Sequence, residues 1–218
     1  MLAEQVREDQ LTNDLSNAST PGYKTDESSQ GDFSSILLGN MSNGQPVGSL
    51  ATGVQIDRTV TDLSPNPLQS TGQPLDFGIA GTGFFAVRTA QGVRYTRDGQ
   101  FAADANGNLA DGNGNLVLSQ GGAPIKVSAT GTVPATALGV FNVPNAAKQG
   151  DDLYTGAAAG QATGVVKSGE LEQSGVDAAS TMVNMISALQ SYDAGQKVLT
   201  TLDQAMQKSA STVGSLSG

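Results

Sequence analysis

Three groups of residues in this chain have types and spacings that could do chemistry. Gly81-Thr82-Gly83 has the glycine spacing of a turn that cradles a phosphate. Asp104-Ala105-Asn106-Gly107-Asn108 and Asp111-Gly112-Asn113-Gly114-Asn115 have the composition of calcium loops, and Asp151-Asp152 and Glu170/Glu172 are acid pairs of the kind a glycosidase uses. Each reading meets an obstacle. A dinucleotide turn opens straight into a helix, but here Phe84-Phe85-Ala86-Val87 follows and reads as a strand. The first Asp-rich loop lacks a glycine at its sixth position and the bidentate glutamate at its twelfth, so hairpin turns account for both loops. Glycosidase carboxylates face each other across about 5 to 9 Å; adjacent residues do not, and the acid pairs read as solvated faces.

The composition narrows the field further. The 218 residues include neither Cys nor His, which removes thiolate and imidazole metal ligands, cysteine nucleophiles and any triad with a histidine base. The expectation is no catalytic residue, no cofactor and no metal. Eleven basic residues against 20 acidic give a net charge of −9, and with no basic patch nucleic acid is an unsuitable partner. No apolar run approaches the roughly 20 residues that span a bilayer, and the N-terminus lacks the basic-then-apolar pattern of a cleaved export signal.

The elements that position these residues are two helices around a β-rich middle. From Ser174 to about Val213, apolar Met182, Met185, Ile186, Leu189, Tyr192, Leu199, Leu202 and Met206 recur at steps of three, four and seven with no proline between them, which predicts one long amphipathic helix. Ser174 and Asp177 have the spacing of a capping box. A stripe of that length needs a partner surface, in the same chain or in another subunit. Leu2, Val6, Leu11 and Leu15 predict a weaker helix that stops at Ser19-Thr20-Pro21-Gly22. Residues 24–70 read as an extended or loosely folded connector, with an apolar island at Phe33, Ile36, Leu37 and Leu38 and a β-like run from Gly53 to Val60. From Gln73 to about Val166 short apolar runs alternate with turns at Asp98-Gly99, Asn106-Gly107, Asp111-Gly112 and Asn113-Gly114, and Phe85, Val87, Val93 and Tyr95 straddle Gln91-Gly92 as a hairpin. The fold class expected is α+β, with terminal helices bracketing a mainly antiparallel β-domain.

Three separated stretches carry a resemblance. Leu11 to Lys24, with Asn13 and Asn17 at the helix end followed by Pro21-Gly22-Tyr23 and a basic residue, resembles the N-terminal motif of the axial proteins of the bacterial flagellum, the rod and hook subunits. Pro74 to Phe85, containing Gly81, Gly83, Phe84 and Phe85, and the run Tyr95-Thr96-Arg97-Asp98-Gly99-Gln100-Phe101 are similar to that family's central motifs. Gly169 to Asp177 followed by Met182-Val183-Asn184-Met185-Ile186 resembles its closing motif, with Gly175 standing where Asn is usual.

The resemblance implies a structural, non-enzymatic subunit of the basal-body rod. Residues 1–24 and 167–218 would pair as an inner axial helical domain, 25–72 would be a connector, and 73–166 an outer β-domain. Leu11, Leu15, Met182, Met185, Ile186, Leu189, Leu199 and Leu202 would be subunit-packing residues. Implied partners are further copies of the chain in a helical homopolymer, neighbouring rod and hook proteins, the flagellar export apparatus and the ring bushing around the rod, with export that uses no cleaved signal. The size of the β-domain and residues 39–60 favour the distal rod type over a proximal rod or hook subunit. Outside the family, a β-rich extracellular binding module and a carbohydrate hydrolase are the competing classes. Family members carry about half a helix more before the stretch that matches Met1 to Asn17, so the sequence is expected to start inside the first helix.

Overall fold

The computed structural model describes residues 2–32, 35–39, 46–51, 54–150 and 152–215. Met1, Phe33, Gly53 and Asp151, on which some of the expectations fall, lie outside the described residues. The chain is α+β with mostly antiparallel pairing. The first element is α1 (Leu2–Ser16) and the last is α2 (Ala178–Ser215). Between them come β1 (Asp26–Asp32), β2 (Ser35–Gly39), β3 (Pro46–Ala51), β4 (Val54–Thr61), β5 (Leu68–Ser70), β6 (Phe77–Ala80), β7 (Phe84–Thr89) and β8 (Gly92–Thr96). These are followed by β9 (Ala102–Ala103), β10 (Leu109–Ala110), β11 (Leu116–Leu118), β12 (Val140–Phe141), β13 (Ala147–Lys148), β14 (Leu153–Thr155), β15 (Val165–Ser168) and β16 (Glu170–Glu172). They gather into two compact units, residues 16–27 with 61–177, and residues 1–15, 28–60 and 178–218.

The larger unit is organised on β7. Its hairpin with β8 is present, but it closes across Ala90-Gln91, one residue before the expected Gln91-Gly92, because Gly92 already pairs with Thr89 as Phe85 does with Thr96. β7 also takes β11 and β12 as antiparallel neighbours, and the sheet runs β13-β14-β8-β7-β11-β10-β9. All four residues of the apolar run Phe84-Phe85-Ala86-Val87 are buried. Phe85 and Val87 join Phe77, Ile79, Phe101, Leu109, Val117 and Ile125 in one core, while Phe84 and Ala86 join Tyr95, Leu118, Val143 and Tyr154 in a second on the opposite face. Phe101 sets its ring edge-on to Phe85, centroids 5.4 Å apart.

Glycine does two different jobs among the expected turns. Gly107 and Gly114 adopt positive φ, +74° and +82°. They sit in matched loops where Asp104 Oδ1 accepts from the Asn106 and Asn108 amides and Asp111 Oδ1 from those of Asn113 and Asn115. Asp98-Gly99, by contrast, does not turn a hairpin. Gly99 lies so close to Phe77 that a Cβ would collide with its carbonyl, and its own oxygen accepts from the Phe77 amide at 3.0 Å.

Within the stretch expected to be a connector, β1 pairs with β4, and β2 pairs antiparallel with β3 in a register that sets Ile36 opposite Leu50. At about 1.5 Å per residue, the 38 residues of α2 form a rod of roughly 57 Å. The helix starts at Ala178 rather than at Ser174, because Ser174 is engaged elsewhere: its hydroxyl donates to the Asn17 carbonyl at 3.0 Å and accepts from the Val176 amide at 3.2 Å. Covered positions on α2 follow a three-four rhythm through Ala178, Thr181, Met185, Ala188, Tyr192 and Gly195, a heptad stripe. On α1, Glu4, Glu8, Leu11 and Leu15 are half-buried at the same rhythm, with half-buried Gln10 and buried Asp14 beside them.

Candidate functional site

The three motifs of the sequence meet in one place in the larger unit. Lys24, from the end of the first motif, Arg97, from the second, and Glu172, from the third, are each at most 2% exposed. Glu172 is therefore not on a solvated face, as its spacing from Glu170 suggests. Its Oε1 accepts from Lys24 Nζ at 2.6 Å and from the Asn66 amide at 2.8 Å, and its Oε2 accepts from Arg97 Nη1 at 2.7 Å. Burial lowers the Lys24 pKa, opposed by its hydrogen bond to Glu172. Two cations share one carboxylate, so neutral oxygens and a ring face take up the surplus. Lys24 donates to the Ser64 carbonyl, Arg97 Nη2 to that of Gly81 at 2.9 Å, and the guanidinium lies 5.2 Å from the centroid of Phe84.

The backbone around this centre ties the root of α1 to the segment leading into α2. Gly22 N donates to the Glu172 carbonyl and Gly175 N to that of Tyr23, both at 2.9 Å. Gly22 has φ +69°, and any Cβ there would strike the Arg97 carbonyl, so Pro21-Gly22-Tyr23 is fixed in sequence by a close approach rather than by a free turn. Tyr23 is buried, with Lys148 Nζ 3.9 Å from its ring centroid. With its amide turned to satisfy its neighbours, Asn66 accepts from Lys24 Nζ and the Gly175 amide, each at 3.2 Å. A Cβ at Gly175 would lie 3.1 Å from the Asn66 amide, so Asn66 fills the space beside the residue where the family motif carries Asn.

The remaining motif residues are core or turn. Gly83, Phe84, Phe85, Tyr95, Gly99 and Phe101 are buried, Gly81 is an exposed positive-φ turn, and of the helix-end asparagines Asn13 is exposed and Asn17 half-buried. Asp98 lines a groove of about 560 Å³ with Asp76 and Gln100; burial raises its carboxyl to about 6. Among the described residues no group of acidic side chains is placed to hold a metal ion.

The candidate packing residues divide. Leu11, Leu15 and Met185 are half-buried, while Met182, Ile186, Leu189, Leu199 and Leu202 are exposed. Leu199 and Leu202 continue the three-four rhythm of Thr181 and Ala188, but each is 51% exposed, so the covered stripe of α2 runs on as a bare apolar one. Among the described residues no helix is long and apolar enough to cross a membrane.

A β-unit whose motifs serve a structural ion-pair centre, joined to a helix that turns apolar side chains to water, defines a scaffold built for association. The comparisons agree. Residues 78–148 match the family of the flagellar hook protein FlgE/F/G D1 domain, and residues 167–212 that of the flagellar basal body rod FlgEFG protein C-terminal region. The chain is 32% identical to the flagellar hook-basal body complex protein FlhO of Bacillus subtilis, over 99% of this chain and 96% of that protein. It is 30% identical to the flagellar basal-body rod protein FlgG of the same organism over 94% and 92%, and 26% identical to FlgF of Caulobacter vibrioides over 95% and 92%. The chain belongs to the flagellar hook and basal-body rod family.

Proposed function

We propose that this structural subunit of the flagellar rod polymerises through its terminal helices into a shaft that transmits torque, and that it is of the distal rod type. The observation that carries this reading is the apolar line Leu199, Leu202 and Met206, each at least half exposed, on the heptad stripe of a helix whose earlier turns are covered. Such a stripe gains stability only against a second surface, and a repeated head-to-tail contact whose rotation does not close propagates a helical filament. Pairing of residues 1–24 with 167–218 as an inner domain, 25–72 as its connector and 73–166 as an outer β-domain belongs to the same proposal. So do contacts with hook proteins, the ring bushing and the export apparatus, and export without a cleaved signal. The modest size of the larger, β-rich unit supports the distal type over a hook subunit.

Fractionation tests the reading. A tagged full-length chain should be recovered in detergent-resistant hook–basal-body particles of the cells that make it. A soluble extracellular pool with nothing in those particles would point instead to a binding module and reject the rod assignment.

A further inference from the structure

The centre at Lys24, Glu172 and Arg97 lies where the chain enters and leaves the larger unit, and its geometry goes beyond support of a core. We propose that it is an all-or-none latch: the root of α1 (residues 17–24) and the root of α2 (residues 172–175) are held on the β-unit together or released together. What such a latch would do for assembly rests on the rod reading; the latch itself is a property of the monomer.

Glu172 grips the first root at two points, its carbonyl taking the Gly22 amide and its carboxylate taking Lys24 Nζ. The first root grips the second in return, since the Tyr23 carbonyl accepts from Gly175 N and the Ser174 hydroxyl donates to Asn17. Asn66 touches both sides, through Lys24 and Gly175, and Arg97 fixes the whole to the end of β8. The charge count makes partial opening expensive. With both ion pairs formed there is one anion for two cations, all buried. Withdrawing Glu172 leaves two buried cations without a counter-charge at that point, beside a Tyr154 hydroxyl and an Arg97 Nε that, among the described residues, already lack a hydrogen-bond partner. Half-open states are thereby disfavoured, and the segments 148 residues apart in sequence behave as one cooperative piece.

The two glycine amides report the latch directly, and the bonded amides of Leu109 and Ile125, whose acceptors are Ile125 and Val117, report the core. In the purified full-length wild type, Gly22 and Gly175 should exchange hydrogen as slowly as Leu109 and Ile125. In Glu172→Gln both glycine amides should speed up by about 100-fold or more relative to the core pair. Lys24→Met is the milder variant, because it leaves a one-to-one Arg97–Glu172 pair; it should accelerate Gly22 and Gly175 by equal factors, and it serves if Glu172→Gln does not fold. The proposal is overturned if Gly22 or Gly175 already exchanges faster than the core in the wild type. It also fails if only one of the two responds, if neither does, or if all four amides accelerate alike, which would make the centre an ordinary core contact. Because exchange is read on the monomer, these outcomes are independent of whether the chain enters hook–basal-body particles.

Discussion

The larger unit and the second half of α2 treat the same residue types in opposite ways. On β7 and β11, Phe85, Val87 and Val117 are wholly buried; on α2, Val198, Leu199, Leu202 and Met206 each leave at least half of their surface in water. Burial of a leucine-sized side chain contributes roughly 1.5 to 3 kcal/mol. The first set has collected that contribution within one molecule and the second has not. The difference separates what the monomer uses for its own stability from what it holds for association, and four substitutions test where that line falls.

The largest effect is expected at Val117. An aspartate there loses the valine's burial and places a carboxylate in a core with no partner, together more than about 4 kcal/mol, so the chain's main thermal transition should vanish or fall by more than 15 °C at roughly 4 °C per kcal/mol. Gly22→Ala comes next, at about 2 kcal/mol or more for a left-handed backbone with the Arg97 carbonyl in the way. Circular dichroism melts would show it; a loss under half that size would mean the root yields easily.

A smaller effect of opposite sign is expected from Asp98→Asn. Burial raises the folded carboxyl to about 6 from an ordinary 3.8, so the folded state holds that proton more tightly than the unfolded chain. Its ionisation therefore removes stability as pH climbs from about 4 to about 6 and leaves the protein less stable above. Asparagine still accepts from the Gln100 amide, as Asp98 does at 2.9 Å, and should raise the melting temperature at pH 7 by a few degrees while flattening the slope between pH 4 and 6. An unchanged slope would place the titration elsewhere. The smallest change in the monomer belongs to Leu202→Asp, less than about 0.5 kcal/mol at an exposed position, although rod assembly and motility should be lost. If it melts the isolated monomer as severely as Val117→Asp, α2 is part of the monomer's core and the division between the two regions is wrong.

The sequence made visible whatever depends on near neighbours. The β7–β8 hairpin was legible because Phe85, Val87, Val93 and Tyr95 alternate across a two-residue turn, and the two helices because their apolar residues recur at helical steps. Glu172 was not, since the burial of a carboxylate is decided by Lys24 and Arg97, 148 and 75 residues away. The capping box at Ser174 failed because the hydroxyl oxygen, which a cap would aim at the amide three residues on, accepts from the Val176 amide instead. The face of α2 that is covered in the monomer has no hydropathy signal, because it consists largely of small residues, Thr181, Ala188 and Gly195, while the bulkier Met182, Ile186 and Leu189 lie exposed. At Asp98-Gly99 a turn dipeptide stood for a different need, a backbone that must come within reach of Phe77. The one motif-level signal for the charge centre was that each of the three family stretches contributes a charged residue with no obvious surface role.

The twin loops at Asp104 and Asp111 offer a practical handle. Each closes its hydrogen bonds within five residues, and a Cβ at Gly112 would meet nothing within 4 Å. Since the chain has no cysteine of its own, Gly112→Cys would create a single thiol for a maleimide dye on a loop that does not rely on that residue's side for its shape, giving a fluorescent subunit whose arrival at the growing structure could be counted one molecule at a time.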